Sequence, residues 1–332
     1  MFFVMVFSRL AIRVGLTDSP SQERKKHHSD VPVVGGLAIA VGVFLGILWV
    51  PFSLVEYRTL LFCLIVIIMI GIADDFSEVS SLARVGAQFF VACLLVYGDD
   101  VVIHSIGPLS ATSPYIELGI FSEVVSVLSI VALINAFNLI DGHDGLCGGL
   151  VVVTLVVLGM YCREFGYWEQ QRVLFIVVAA IGGFLLFNWP TRLNSKRKIF
   201  LGDAGSTFLG LIVAYFLIKL SQGDFAVIEP TLVPWLVAIP VLDMTSVVFW
   251  RLAKGKSPFA PDRAHIHQVF SDRGVPVLGV LLTILGIQVA LIGLAIVLST
   301  MRSIPESIQF WGLFPCLFLY LTFMNWVRLR PR

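Results

Sequence analysis

The sequence predicts an all-α fold, a polytopic integral membrane bundle of about eleven transmembrane helices in a single domain, residues 1–332. Three observations predict it. Of the residues, 58% are hydrophobic and 14% charged, against roughly half and a quarter in soluble globular domains. Apolar runs of spanning length recur along the whole chain, separated by charged or Gly/Pro-rich connections. Basic residues gather in alternate connections, as oriented membrane helices require.

The first run, 1–16, is short and carries Arg9 and Arg13. It reads as a truncated span or an interfacial amphipathic helix, and is counted here as the first span. It lacks a small-residue cleavage site after an apolar core, so no cleavable leader is expected. Further spans are expected near 33–52, 59–73, 82–97, 122–140, 146–161, 172–189, 205–220, 231–249, 277–299 and 308–327. Several fall short of the roughly 20 residues that a bilayer asks for, so their ends extend into the adjoining loops. The five cysteines show no metal-ligand spacing and read as packing residues. A net charge of +1 says nothing about nucleic acid, and with the basic residues in short loops rather than one patch no nucleic-acid partner is expected.

Orientation follows from the basic residues. With the loops 17–32, 74–81, 141–145, 190–204 and 250–276 and the C-terminus on one side, seventeen Lys and Arg flank the spans there. The other side has five: Arg58, Arg163, Arg172, Lys219 and Arg302. The expected topology has the N-terminus outside and the C-terminus in the cytoplasm. The unusual acids and histidines then fall on one face, although they played no part in drawing it.

The stretch 134–149, INAFNLIDGHDGLCGG, ends a span and becomes a loop. Asn135, Asn138, Asp141 and Asp144 are spaced by three, with glycine turns between the acids. Carboxylates at a membrane edge need water, a cation or a ligand. Asp74 and Asp75 close the run LIVIIMIGIADD; they are paired acids seeking a cation, or a solvated span end. In 202–206, GDAGS, Asp203 opens a helix, either beside an anion held by free N–H groups or as a helix cap. Lys196, Arg197 and Lys198 upstream suit an anionic substrate or serve only as topology charges. In 258–268, PFAPDRAHIHQ, an extended strand would point His265 and His267 to one side. With Arg263 they suit phosphate, unless the loop is simply solvated. Asp243, inside a span, pairs with a neighbouring helix or serves function. Several oxygen donors at one face suit a hard divalent cation, and so phosphoryl transfer between a soluble phosphate compound and something in the membrane.

The motifs ADD at 73–75, NAFNLIDGHDGL at 135–146, GDAGS at 202–206 and PDRAHIH at 261–267 stand in the order found in the polyprenyl-phosphate N-acetylhexosamine-1-phosphate transferases. The resemblance runs essentially the whole chain, and its last motif is similar to the bacterial undecaprenyl-phosphate N-acetylglucosamine-1-phosphate transferase branch. It implies UDP-HexNAc and undecaprenyl phosphate as substrates, giving an undecaprenyl-diphospho-sugar and UMP at the start of O-antigen or another surface polysaccharide. It also implies Mg²⁺, or Mn²⁺ in its place, at the cytoplasmic face of the bacterial inner membrane, with a homodimer as the expected assembly.

Residue by residue, the resemblance implies that Asp203 binds the metal, with Asn138 sharing that role. Asp74 and Asp75 activate or position the lipid phosphate; Asp141 and Asp144 act in the nucleotide and metal region, and His265 completes the catalytic set. Asn135, Arg263 and His267 bind substrate, and Lys25 and His27 meet the lipid phosphate. The chain departs from the family in a shorter first span, in His143 where an aliphatic residue is usual, and in HIHQ rather than HIHH at 265–268. The short first span suggests a missing N-terminal stretch or an alternative start. The other two bear on the sugar, with a 6-deoxy HexNAc or a phospho-MurNAc-pentapeptide donor as alternatives. An anion transporter is the alternative from another class, although transporters place their acids near the bilayer midplane.

Overall fold

The computed structural model describes residues 2–18, 31–77, 79–191, 197–258, 260, 262–301 and 304–329. Lys25, His27 and Lys196 lie outside the described residues. In chain order the helices are α1 (Phe2–Val14), α2 (Gly35–Ile47), α3 (Arg58–Ser77), α4 (Ser81–Asp99), α5 (Ser122–Ile140), α6 (Leu146–Glu164) and α7 (Trp168–Asn188). They continue as α8 (Gly202–Lys219), α9 (Val233–Leu236), α10 (Ala238–Ala253), α11 (Ile266–Ser271), α12 (Val277–Thr300) and α13 (Ser307–Leu329). Two small antiparallel ladders complete the chain, β1 (Thr17–Asp18) with β2 (Val31–Pro32) and β3 (Ser105–Pro108) with β4 (Tyr115–Glu117).

Among the described residues, eight helices are long and apolar enough to cross a membrane, and the bent pair α9/α10 would make a ninth. The chain is therefore a polytopic all-α membrane protein. At 13 residues each, α1 and α2 reach only about 20 Å, short of a hydrocarbon core about 30 Å thick.

The bundle is organised around α8, the most buried of its long helices. Close approach is possible because glycines face one another. A β-carbon on Gly36 of α2 would overlap the Gly205 backbone, and one on Gly71 of α3 would overlap the Ala204 backbone. On the other side, Gly210 lies against the backbone of Ile134 in α5. Without a hydrophobic force between helices in lipid, such backbone contact is what associates them. Gly71→Val is expected to cost at least about 2–3 kcal/mol through overpacking. It should lower the melting temperature of the detergent-extracted protein, while Gly182→Ala, at a site with nothing within 4 Å, should leave it unchanged.

The run 231–249 was expected to be one straight span. Instead Pro230–Leu236 meets α10 at 74°. The break frees backbone groups that lipid cannot satisfy, and side chains take them up. Gln288 Nε2 donates to the carbonyls of Trp235 and Leu236, its Oε1 accepts from Ile239 N, and Thr154 donates to Leu236 O. The bend aims α10, with Asp243, at the loop that follows it.

Candidate active site

The ends of α3, α5 and α7 and the start of α8 enclose a cavity of about 620 Å³. Into it face Asp18, Asp74, Asp75, Asp141, Asp144 and Asp203, together with His143 and Asn188. Five of these six acids were singled out in the sequence, from segments up to 129 residues apart. Asp18, on β1, was not; neither was Asn188, which donates to Ile199 O and accepts from Gly145 N, tying the 141–145 loop to the approach of α8.

The start of α8 works differently from either expectation for Asp203. The backbone N–H groups of Asp203 and Ala204 donate to Asp75 Oδ1 and Oδ2 at 2.8 and 3.3 Å. The cap is thus a carboxylate from α3, and the chain's own acid occupies the place expected for a phosphate. Gly202 makes this possible: its φ is +77°, and a β-carbon there would lie 2.6 Å from Asp75 Oδ2. Relieved of capping, the Asp203 carboxylate turns into the cavity, its side chain 43% exposed.

Asp203 Oδ1 accepts from Asn138 Nδ2 at 2.7 Å, and the same amide donates to Ser206 Oγ. Asn138 Oδ1 is therefore its remaining ligating atom. Asp203 Oδ2 accepts from Arg84 at 3.3 Å, and Arg84 also pairs with the buried Asp74 at 2.7 Å. Asp144 pairs with Lys198 at 2.6 Å. Among the seventeen bases that orient the chain, Arg84 carries no further role in the sequence, and Lys198, open there to an anionic substrate, pairs instead with an acid. A signal for Arg84 exists, because Ser81, Arg84 and Gln88 share one face of α4 at helical spacing. Asp141 lies among Asp203, Asp144 and Asp75; burial first, then these neighbouring charges, hold its carboxyl well above the ordinary range.

A second cavity of about 510 Å³ adjoins the first and is mostly apolar, lined from Ile67 and Val131 to Val248. Asp74 and Asp203 belong to both, whereas Arg84, Gln88, Asn135 and Asn138 face only the second. Asn135 Nδ2 donates to Gln88 Oε1 at 2.6 Å. The site is thus a polar chamber and an apolar one with a wall of two carboxylates between them.

The histidine loop packs beside the polar chamber. His265 and His267 are not on a strand: His265 precedes α11 and His267 lies in its first turn, yet their rings stack at 5.8 Å. Both are buried, and neither lines the 620 Å³ cavity. Contact with the acid loop runs through Gly142, where a β-carbon would overlap the His267 ring, and through His143 Nε2 to Ser271 Oγ at 2.5 Å. Arg263 pairs with Asp272 at 2.8 Å. Gln268 Oε1 accepts from His265 N at 3.4 Å, bracing the start of α11. Burial would raise the Asp262 carboxyl, but two hydrogen bonds from Arg251, each 3.0 Å, outweigh it and hold it below the usual range.

Burial pushes the His267 imidazole down to about 3, and its Nδ1 has no partner among the described residues. Below the ordinary value near 6.5, the unfolded chain takes up a proton that the folded one refuses. This contribution to stability is therefore intact above pH 6.5 and lost as pH falls toward 3. Between pH 6.5 and 4.5 the loss should reach about 2–3 kcal/mol. Melting curves of the wild type and His267→Asn should show the steeper acid dependence in the wild type; equal slopes would exclude a buried neutral imidazole.

The donor set suits a hard cation without forming a ready-made cage. Among the described residues no three acidic, His or Cys side chains converge tightly enough to hold an ion alone. Mg²⁺ usually takes one or two carboxylates and completes its shell with water and substrate phosphates.

Residues 57–221 match the model of glycosyl transferase family 4. The undecaprenyl-phosphate alpha-N-acetylglucosaminyl 1-phosphate transferase of Yersinia pestis is 34% identical over 312 residues, 93% of this chain and 84% of that relative. The protein so named in Escherichia coli (strain K12) is 34% identical over 272 residues, covering 82% and 73% of the two chains. That of Salmonella typhi is 30% identical over 318 residues, covering 96% and 86%.

Proposed function

The chain belongs to glycosyl transferase family 4, and from that premise we propose that it moves a sugar 1-phosphate from a UDP-sugar to undecaprenyl phosphate. The observation that carries the reading is the wall shared by the two chambers. A soluble, highly charged donor suits the polar chamber, and a polyprenyl chain suits the apolar one. The phosphate of the lipid would then meet the donor at Asp74 and Asp203, with Arg84 on the lipid side.

In the proposed reaction an oxygen of the lipid phosphate bonds to the β-phosphorus of the donor. The bond from that phosphorus to the bridging oxygen breaks, and UMP departs. Arg84 holds the incoming phosphate, Asp75 keeps the start of α8 in register, and Lys198 steers the acid loop through Asp144. Asp203 and Asn138 Oδ1 would hold Mg²⁺, which supplies charge neutralisation on the departing phosphate. The roles expected for Asp141, His265, Arg263 and His267 belong to the same reading, with the histidine loop closing the donor chamber.

The arrangement proposed in the membrane counts α1 and α2 as short spans beside the other nine, eleven in all, with the N-terminus outside and the catalytic loops in the cytoplasm, as the basic residues favour. The relatives' names favour N-acetylglucosamine as the sugar and leave no ground for the transporter alternative. The purified protein, given undecaprenyl phosphate, Mg²⁺ and a mixture of UDP-sugars, should release UMP and load N-acetylglucosamine 1-phosphate first. Release of no UMP from any UDP-HexNAc would overturn the reading; preference for a 6-deoxy sugar would overturn only the choice of sugar.

A further inference from the structure

Asp243 is a deeply buried acid that the reaction just described does not use. Its side chain is 1% exposed and sits in the second half of the broken helix. A carboxylate so deep must be answered by donors, and three reach it. Oδ2 lies 2.8 Å from His265 Nδ1, while Oδ1 accepts from Ile266 N at 2.9 Å and from the Tyr320 hydroxyl at 3.0 Å.

An ionised carboxylate only accepts, so the first of these contacts requires a proton on Nδ1 of His265. Among the described residues no hydrogen bond is made at its Nε2, which is the ring's remaining hydrogen-bonding atom. The loop on either side is fastened to the helices. Arg251 of α10 pairs with Asp262, and Arg328 of α13 donates to Ala264 O while also reaching Ser246 on α10. His267 stacks on the His265 ring with 13° between the planes. The ring therefore has one orientation, with a proton on the nitrogen that faces Asp243.

We propose that Asp243 is a positioning residue that fixes the tautomer and orientation of His265, so that Nε2 faces the UDP-sugar. This rests on the reading of the histidine loop as the donor-binding loop. Asp243→Asn separates the two functions of the carboxylate. The amide oxygen keeps Ile266 N and Tyr320, and the amide nitrogen then faces Nδ1 as a donor. His265 must respond by accepting at Nδ1 and carrying its proton on Nε2, an inversion of the side offered to substrate.

The test uses ¹⁵N-histidine-labelled full-length protein in detergent, with His265 assigned by its loss in His265→Ala. In the wild type its resonance should show Nδ1 protonated; in Asp243→Asn it should show a proton on Nε2. The kcat/KM for UDP-N-acetylglucosamine should fall about 10- to 100-fold, with the KM for undecaprenyl phosphate unchanged. Asp243→Asn added to His265→Ala should cost nothing further, because a residue that acts through His265 has nothing left to act on. A wild-type His265 protonated only at Nε2 overturns the proposal even if the Asn variant fails to fold. So does a loss in the double variant equal to the product of the two single losses. Should His265→Ala keep wild-type kcat/KM, the donor-loop reading fails, while the tautomer spectra still decide the role of Asp243.

Discussion

Asp203→Asn is expected to abolish turnover while leaving the protein folded and inserted. The carboxylate points into the chamber, where Asn138 holds one oxygen and Arg84 the other. An amide keeps one acceptor, loses the charge, and turns a donor toward either Asn138 or Arg84, both donors themselves. The loss should be on the order of 1,000-fold or more in kcat, the scale of removing a charge aimed at a departing phosphate. Stability should move by no more than about 1 kcal/mol, because helix α8 is capped by Asp75 through the backbone of residues 203 and 204. UMP release and detergent melting curves, measured side by side, check both halves. Near-normal turnover at limiting Mg²⁺ would show that Asp203 holds no metal.

Arg84→Ala is expected to damage the lipid side selectively. Arg84 faces only the apolar chamber, and its guanidinium is the cation on the buried Asp74. Its loss leaves Asp74 with the backbone N–H of Val79 and removes the positive charge beside the proposed path of the lipid phosphate. The kcat/KM for undecaprenyl phosphate should fall at least about 100-fold, and the KM for the UDP-sugar should change several-fold at most. Arg84→Lys should restore part of the loss, since it returns the charge without the fork. An unchanged KM for the lipid, or an equal loss for both substrates, would remove Arg84 from the lipid path.

The helices were legible because a long apolar run between charged connections has few other fates. The break at Val237 was not. Residues 231–249 have the hydropathy of one straight span, and the bend is held by Gln288 and Thr154, 52 and 82 residues from Leu236. Most of the acids were legible because a bilayer does not tolerate them idle. Their partners were harder, since the same Arg and Lys that orient a membrane protein also neutralise its acids, and residue type cannot separate the two duties. The start of α8 misled for a similar reason. Asp203 has the right chemistry for a cap, but the cap comes from Asp75, 128 residues earlier. The two histidines read as strand neighbours because alternation puts residues two apart on one side; the capped turn at Ile266 brings their rings together by another route.

The glycine crossings of α8 also bear on how such a protein can change over generations. Where Gly36 and Gly71 touch the Gly205 and Ala204 backbones, there is no side-chain volume to trade, so the pivot offers no gradual adjustment. A lineage that altered its choice of sugar by shifting α8 would have to rebuild three helices at once. The loops 141–145 and 262–272 meet instead through side chains, His143 on Ser271 and His267 against Gly142, which single substitutions can reshape. The molecule thus divides into a part that drift cannot tune and a part that it can.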